Sequence, residues 1–325
     1  MFAAKLKPGA EVRVVSPATS LSVIPMEQRR TAEERLGELG LRVSYSEHAK
    51  ATGRFDVAPV DVRVADLHAA FADPDVAGIL TTLGGYNSNQ LLARLDYDLI
   101  RANPKILCGF SDITALATAI HARTGLVTYY GPHFSTFAMR RGIEYTREQF
   151  ARCVMRDGPY TVAPADHWSD DAWYADQENR DFVPNPGYQI ITAGEATGTL
   201  LGGHLLTLSR LFGTPFALDL DGAVLLIESD AETQPVHVDA ELQGLVLQPG
   251  FAGVRGIVFG RFQRGSNLDL ATLAEIVRDK PELDGIPIVA DASFGHTTPQ
   301  FTFPIGGSGT LRAGDGTVSL TIEAH

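Results

Sequence analysis

Apolar and polar positions recur along the chain with two alternating periods. Residues 11–16 place Val12, Val14 and Val15 among polar neighbours, which predicts a first strand running into a loop at Ser16-Pro17-Ala18-Thr19-Ser20. Residues 26–39 follow a helical spacing that Gly40 ends. A second strand is predicted at 41–46, and a helix at 61–71 with Val64, Leu67 and Phe71 on one face. A third strand at 76–82 enters Leu83-Gly84-Gly85-Tyr86-Asn87-Ser88-Asn89, and a helix is expected to begin at 91–95. Residues 106–108 form a short, wholly apolar strand, followed at once by a helical pattern through Ile113, Leu116 and Ile120. A further strand is expected at 127–130. Strands alternating with helices imply a parallel sheet with right-handed crossovers, whose functional loops gather at the carboxyl ends of the strands.

The texture changes at 159–187. Both tryptophans, Trp168 and Trp173, lie there among Tyr174, Asn179, Arg180 and Pro184 without periodicity. This stretch predicts a linker and a long loop, either touching a ligand or packing over a domain seam. The second half mixes short elements. A helix is expected to open at Gly202-Gly203-His204 and run to Leu211. Strands are expected at 223–227, 254–259 and 286–290, helices at 236–247 and 268–277, and a glycine-turned hairpin at 309–322. The implied domains are 1–160, a connecting aromatic loop at 161–187, and 188–325.

Size and charge narrow the function. The 325 residues suffice for one large or two medium domains, with 44% apolar and 20% charged residues. A net charge of -12 argues against nucleic acid as a main partner, since phosphate binding needs clustered Lys and Arg. Two cysteines, Cys108 and Cys153, offer neither a disulfide framework nor a metal-ligand pair. No signal-peptide pattern or membrane-length apolar run is visible, so a cytoplasmic protein without a metal or other cofactor is expected.

Gly109-Phe110-Ser111-Asp112 sits between the apolar strand and its helix. A serine on such a turn holds its hydroxyl out of the sheet, with backbone N–H groups nearby to stabilise an oxyanion. The bland alternative is that Ser111 and Asp112 cap the helix. A serine nucleophile needs a base, and the base needs an orienting carboxylate. His296 follows an apolar strand within Gly295-His296-Thr297, and His133 and His204 also occupy strand- or helix-end positions. Glu228 closes the strand Val224-Leu225-Leu226-Ile227, where an unpaired carboxylate would be costly. Asp230, Glu232, Asp239 and Glu241 read instead as a solvated loop and helix start. Ser111, Glu228 and His296 thus form a Ser…Glu…His order, each at a strand end.

With those residues in hand, the chain resembles the LD-carboxypeptidase family of serine peptidases over nearly its whole length. The resemblance rests on Ser16-Pro17, Gly84-Gly85-Tyr86, Gly109-Phe110-Ser111-Asp112-Ile113-Thr114, Tyr130-Gly131-Pro132, Leu201-Gly202-Gly203, Ile227-Glu228, Gly295-His296-Thr297 and Pro304-Ile305-Gly306. It implies an N-terminal α/β domain like that of class I glutamine amidotransferases and a C-terminal mixed α/β, β-barrel-like domain. It also implies Ser111 as nucleophile, His296 as general base and acid, Glu228 as its orienter, Asp112 and Gly85 N–H groups as oxyanion hole, and commonly a homodimer. One branch of the family releases D-alanine from murein tetrapeptides. The other, resembling the microcin C self-immunity protein, cleaves an amide-type bond in a peptidyl- or aminoacyl-nucleotide. Gly85-Tyr86-Asn87-Ser88-Asn89 and the insertion Trp173-Tyr174…Gln177-Glu178-Asn179-Arg180 lean to the second branch, with Trp173 as the expected stacking residue. His204 stands where that resemblance leads one to expect asparagine. A nonenzymatic muropeptide or nucleotide binder is a rival, and a dinucleotide-cofactor enzyme is disfavoured because no G-x-G-x-x-G follows the first strand.

Overall fold

Wholly apolar strands are at home only where both faces of a sheet are covered, and two such sheets organise this protein. The structure, a computed structural model, describes residues 1–325. The first half runs β1 (Glu11–Val15), α1 (Met26–Glu38), β2 (Arg42–Tyr45), α2 (Val60–Ala72), β3 (Val76–Thr81), α3 (Tyr97–Ala102), β4 (Ile106–Gly109), α4 (Ile113–Thr124), β5 (Thr128–Tyr130) and α5 (Glu144–Met155). The second runs β6 (Tyr160–Val162), β7 (His167–Trp168), β8 (Val183–Pro184), β9 (Gln189–Thr192), β10 (Gly194–His204), α6 (Leu205–Ser209), β11 (Ala223–Glu228), α7 (Pro235–Val246), β12 (Gly256–Gly260), α8 (Leu270–Arg278), β13 (Ile288–Ala292), β14 (Phe303–Ile305), β15 (Gly307–Gly314) and β16 (Thr317–Ala324).

The first sheet has the order β14-β5-β4-β3-β1-β2. Its β1 to β5 pairings are parallel, and β14 adds an antiparallel edge against β5. The buried β4 feeds directly into α4, which ends at Gly125 in the left-handed conformation. The second sheet has the order β6-β16-β15-β10-β11-β12-β13-β9. Its centre, β10 to β13, is parallel, and its flanks are antiparallel. The expected β-barrel-like closure does not occur: β6 and β9 remain the two open edges of the sheet. Both sheets are thus open and twisted mixed α/β layers, with a hydrophobic core on each. Ala117 and Tyr130 of the first half pack into the second core, so the seam between the halves is apolar there.

Three expectations need correcting. Gly202-Gly203-His204 does not open a helix but ends the eleven-residue strand β10, with helix only from Leu205 to Ser209. Added side-chain atoms at Gly203 would meet Thr114 at 2.6 Å, so this strand end presses directly on α4. The segment at 91–95 belongs to a 3-10 helix, Ser88–Arg94, whose start is tied to Asp112 by two hydrogen bonds from Ser88 and one from Asn87. Finally, the aromatic segment is not a bare linker. Its β6 joins the second sheet, and β7 pairs with β8.

Candidate active site

The elbow is built by local strain and long-range support. Ser111 has φ +60°, a conformation that costs a non-glycine residue energy and is held only when its surroundings insist on it. Its N–H donates to the Tyr130 hydroxyl at 3.1 Å. Opposite lies Gly84, where an added Cβ would stand 3.1 Å from Ser111 Oγ, so the loop after β3 can approach the hydroxyl only without a side chain.

Three strand ends of the second sheet meet this elbow. Glu228 closes β11, His204 closes β10 directly opposite it in register, and His296 lies in the loop after β13. His296 Nε2 is 3.0 Å from Ser111 Oγ, and its Nδ1 is 2.7 Å from Glu228 Oε2. The Tyr130 hydroxyl donates to the other carboxylate oxygen, Glu228 Oε1, at 2.5 Å. Burial pulls the His296 imidazole down, but the Glu228 and Asp230 carboxylates outweigh it and raise its pKa above the ordinary histidine value. Burial likewise raises the Glu228 carboxyl, and His296 outweighs this to hold it below the usual range. The arrangement can pass a proton from Ser111 to an imidazole that is oriented and stabilised by a fixed anion.

Asp112 ties the elbow to the glycine loop: its Oδ2 accepts the N–H groups of Asn87 and Ser88 at 3.0 and 2.8 Å. Neither the Gly85 nor the Asp112 N–H donates within the turns and loops, which leaves both available to an oxyanion. Gly84, Gly85 and Tyr86 line a cleft of about 770 Å³ that opens over Ser111.

Two expected ligand contacts move. Asn87 does not line this cleft; its backbone N–H is spent on Asp112 and its carbonyl accepts from Arg63. Trp173 does not line it either. That ring is half-buried against the first core, and the next residue, Tyr174, reaches the cleft with 66% of its surface exposed. The guanidinium groups of Arg261 and Arg264 each lie 4.8 Å from the centre of the Trp168 ring. Consecutive residues of an irregular loop can face opposite ways, and sequence alone carries no signal for which one faces in.

The structure also brings in groups that sequence reasoning undervalued. His133 lines the cleft, stacks on Phe110 at 4.2 Å and pairs with Thr81 through Nδ1 at 2.8 Å. Burial pushes its pKa down to about 3, so it is a neutral wall rather than a charge. Asp230, expected to be solvated, is half-buried and faces both His204 and His296; only its position two residues past Glu228 hinted at this. Arg210, Glu232 and Glu241 complete the far wall.

Residues 12–131 match the LD-carboxypeptidase N-terminal domain, and residues 197–311 match the LD-carboxypeptidase C-terminal domain. The chain is 50% identical to YocD of Bacillus subtilis (strain 168), a carboxypeptidase by name, over all of both chains. It is 30% identical to the microcin C7 self-immunity protein MccF of Escherichia coli, over 94% of this chain and 91% of that one. The crystal structure of an MccF-like protein from Bacillus anthracis str. Ames superposes with a TM-score of 0.99 at 51% identity, covering 100% of both chains. The structure of MccF in complex with glutamyl sulfamoyl guanosine superposes at 0.89 with 28% identity, covering 99% of this chain and 98% of that one. No helix is long and apolar enough to cross a membrane.

Proposed function

The chain belongs to the LD-carboxypeptidase family, and on that premise we propose that it is a serine hydrolase cleaving an amide-type bond in a peptidyl- or aminoacyl-nucleotide. The observation that carries this reading is the single imidazole of His296, within hydrogen-bond reach of Ser111 on one side and Glu228 on the other. His296 takes the Ser111 proton as Oγ attacks the scissile carbonyl. The developing oxyanion is held by the Gly85 and Asp112 N–H groups. His296 then protonates the leaving nitrogen, and water, activated by the same imidazole, hydrolyses the acyl-enzyme.

The nucleotide part of the reading is supported by the size of the cleft, by Tyr174 at its mouth, and by the sulfamoyl guanosine complex of MccF. Release of D-alanine from a murein tetrapeptide is the second reading, favoured by the LD-carboxypeptidase description of both domains. The same machinery would serve either bond. A homodimer acting in the cytoplasm belongs to the proposal.

The deciding experiment offers purified protein an aminoacyl sulfamoyl adenosine and a murein tetrapeptide in parallel, with products read by mass spectrometry. Cleavage of the nucleotide conjugate is the expected result. Release of D-alanine alone would replace the first reading with the second. If neither is cleaved and a fluorophosphonate leaves Ser111 unlabelled, the chain is a binder rather than an enzyme.

A further inference from the structure

The strand end that carries His204 does more than flank the triad. Its imidazole is 4% exposed. Nδ1 is paired with Thr207 Oγ1 at 3.0 Å, whereas Nε2 has no hydrogen-bond partner. That free nitrogen stands 3.5 Å from Asp230 Oδ2, and the ring lies 5.3 Å from the ring of His296. The other carboxylate oxygen, Asp230 Oδ1, is held by the Glu232 N–H and the Thr233 hydroxyl, each at 3.0 Å. His204, Asp230 and His296 each offer one ligand atom, and the three atoms lie within 4.8 Å of one another.

A gap of 3.5 Å is long for a charge-assisted hydrogen bond. It is close to the separation of two ligands that share one ion at about 2.0–2.2 Å each. Both imidazoles also have the outer partner that metal-binding histidines use to fix their orientation: Glu228 on His296 Nδ1 and Thr207 on His204 Nδ1. Two imidazole nitrogens and one carboxylate suit Zn²⁺ and its transition-metal neighbours, not Mg²⁺ or Ca²⁺.

We propose that His204 Nε2, Asp230 Oδ2 and His296 Nε2 form a site for Zn²⁺ or a similar divalent transition-metal ion, and that its occupation reversibly blocks hydrolysis. The His296 Nε2 lone pair can accept the Ser111 proton or bind the ion, but not both. Solvent or Ser111 Oγ completes the coordination. No covalent bond changes. Any proton carried on either Nε2 leaves to solvent as the ion enters. An asparagine at position 204, as the family resemblance leads one to expect, would supply no imidazole. The inhibitory consequence rests on His296 being the base; the binding itself does not.

The test therefore separates the two. Metal-free protein, its His204→Asn and Asp230→Asn variants, and His237→Asn as a control at another histidine lining the cleft are titrated with Zn²⁺ by calorimetry and with Co²⁺ by visible absorption. Circular dichroism checks that each is folded. The expected result is one ion per chain with a tetrahedral Co²⁺ spectrum in the parent and in His237→Asn. Affinity should fall about 10–100-fold or more in each of the other two variants. In the hydrolysis assay, Zn²⁺ should abolish activity until a chelator is added, and His204→Asn should need at least about tenfold more Zn²⁺ for half-inhibition, relative to its own metal-free rate. Ion binding that is unchanged in both His204→Asn and Asp230→Asn would overturn the site, as would a parent that takes up no ion. Binding at this site with undiminished hydrolysis would keep the site and overturn both the blocking role and His296 as base.

Discussion

Tyr130 joins the two halves of the candidate site through one hydroxyl: it accepts the Ser111 N–H at 3.1 Å and donates to Glu228 Oε1 at 2.5 Å. It is fully buried at the end of β5 and packs into the core of the opposite domain. Burial and the adjacent Glu228 raise its pKa well above the ordinary value, so it remains a neutral donor. Tyr130→Phe keeps the packing but leaves both partners short of a bond. A hydrogen bond to a charged group contributes roughly 1.5–3 kcal/mol. The expected outcome is a fall in kcat of about 10–100-fold with KM little changed. Steady-state kinetics, with thermal melting as the control for folding, checks it.

Ser111→Ala removes the nucleophile and leaves the strained φ at that residue in place, since alanine disfavours it as serine does. Hydrolysis should drop by about 10⁴–10⁶ in kcat, as for other triads, with the fold intact. A variant that hydrolyses as fast as the parent would sink the mechanism.

The pH profile follows from the pair Glu228 and His296. The base must be neutral, and its pKa lies above the ordinary histidine value of 6.5. kcat/KM should therefore be lost as pH falls through a pKa above 6.5. In Glu228→Gln the stabilising charge is gone while burial still opposes protonation. The acid limb should then move to lower pH even as the maximal rate falls. A limb that stays in place would mean that another group titrates there.

Gly295 has φ +97°, and an added Cβ would stand 2.4 Å from Glu228 Oε2, the oxygen that holds His296. Gly295→Ala should displace that carboxylate. The expected result is a loss of about 1–3 kcal/mol in stability, together with most of the activity. Denaturant melts and the hydrolysis assay read the two effects separately.

Tyr174 and Trp173 are neighbours with different tasks. If Tyr174 stacks on a nucleobase, Tyr174→Ala should raise KM for a nucleotide substrate about 5–150-fold, the equivalent of about 1–3 kcal/mol. Trp173→Ala should chiefly lower the melting temperature, because that ring packs on the first core. The reverse pattern would return the stacking role to Trp173.

The elements most legible in sequence were those with strong local patterns. The apolar runs of β4 and β11 and the glycine-stopped helix α1 lie within a few residues of their expected places. Their strand ends lead directly to Ser111 and Glu228. β10 was not legible. Its glycines Gly198, Gly202 and Gly203 break the apolar pattern of a strand, and they sit where close approach to β11 and α4 leaves no room for a side chain.

The alternation of strands and helices, the elbow, and the candidate order Ser, Glu, His are legible along the chain, because each depends on neighbouring residues or on a resemblance spread over the sequence. How the parts meet is set by packing. Ser111 and His296 are 185 residues apart yet 3.0 Å from each other, and no local pattern encodes that distance. The same holds for the open second sheet, the inward turn of Tyr174 in place of Trp173, and the meeting of His204, Asp230 and His296. Each is a product of packing between distant strands, where burial and register place side chains that are interchangeable in sequence.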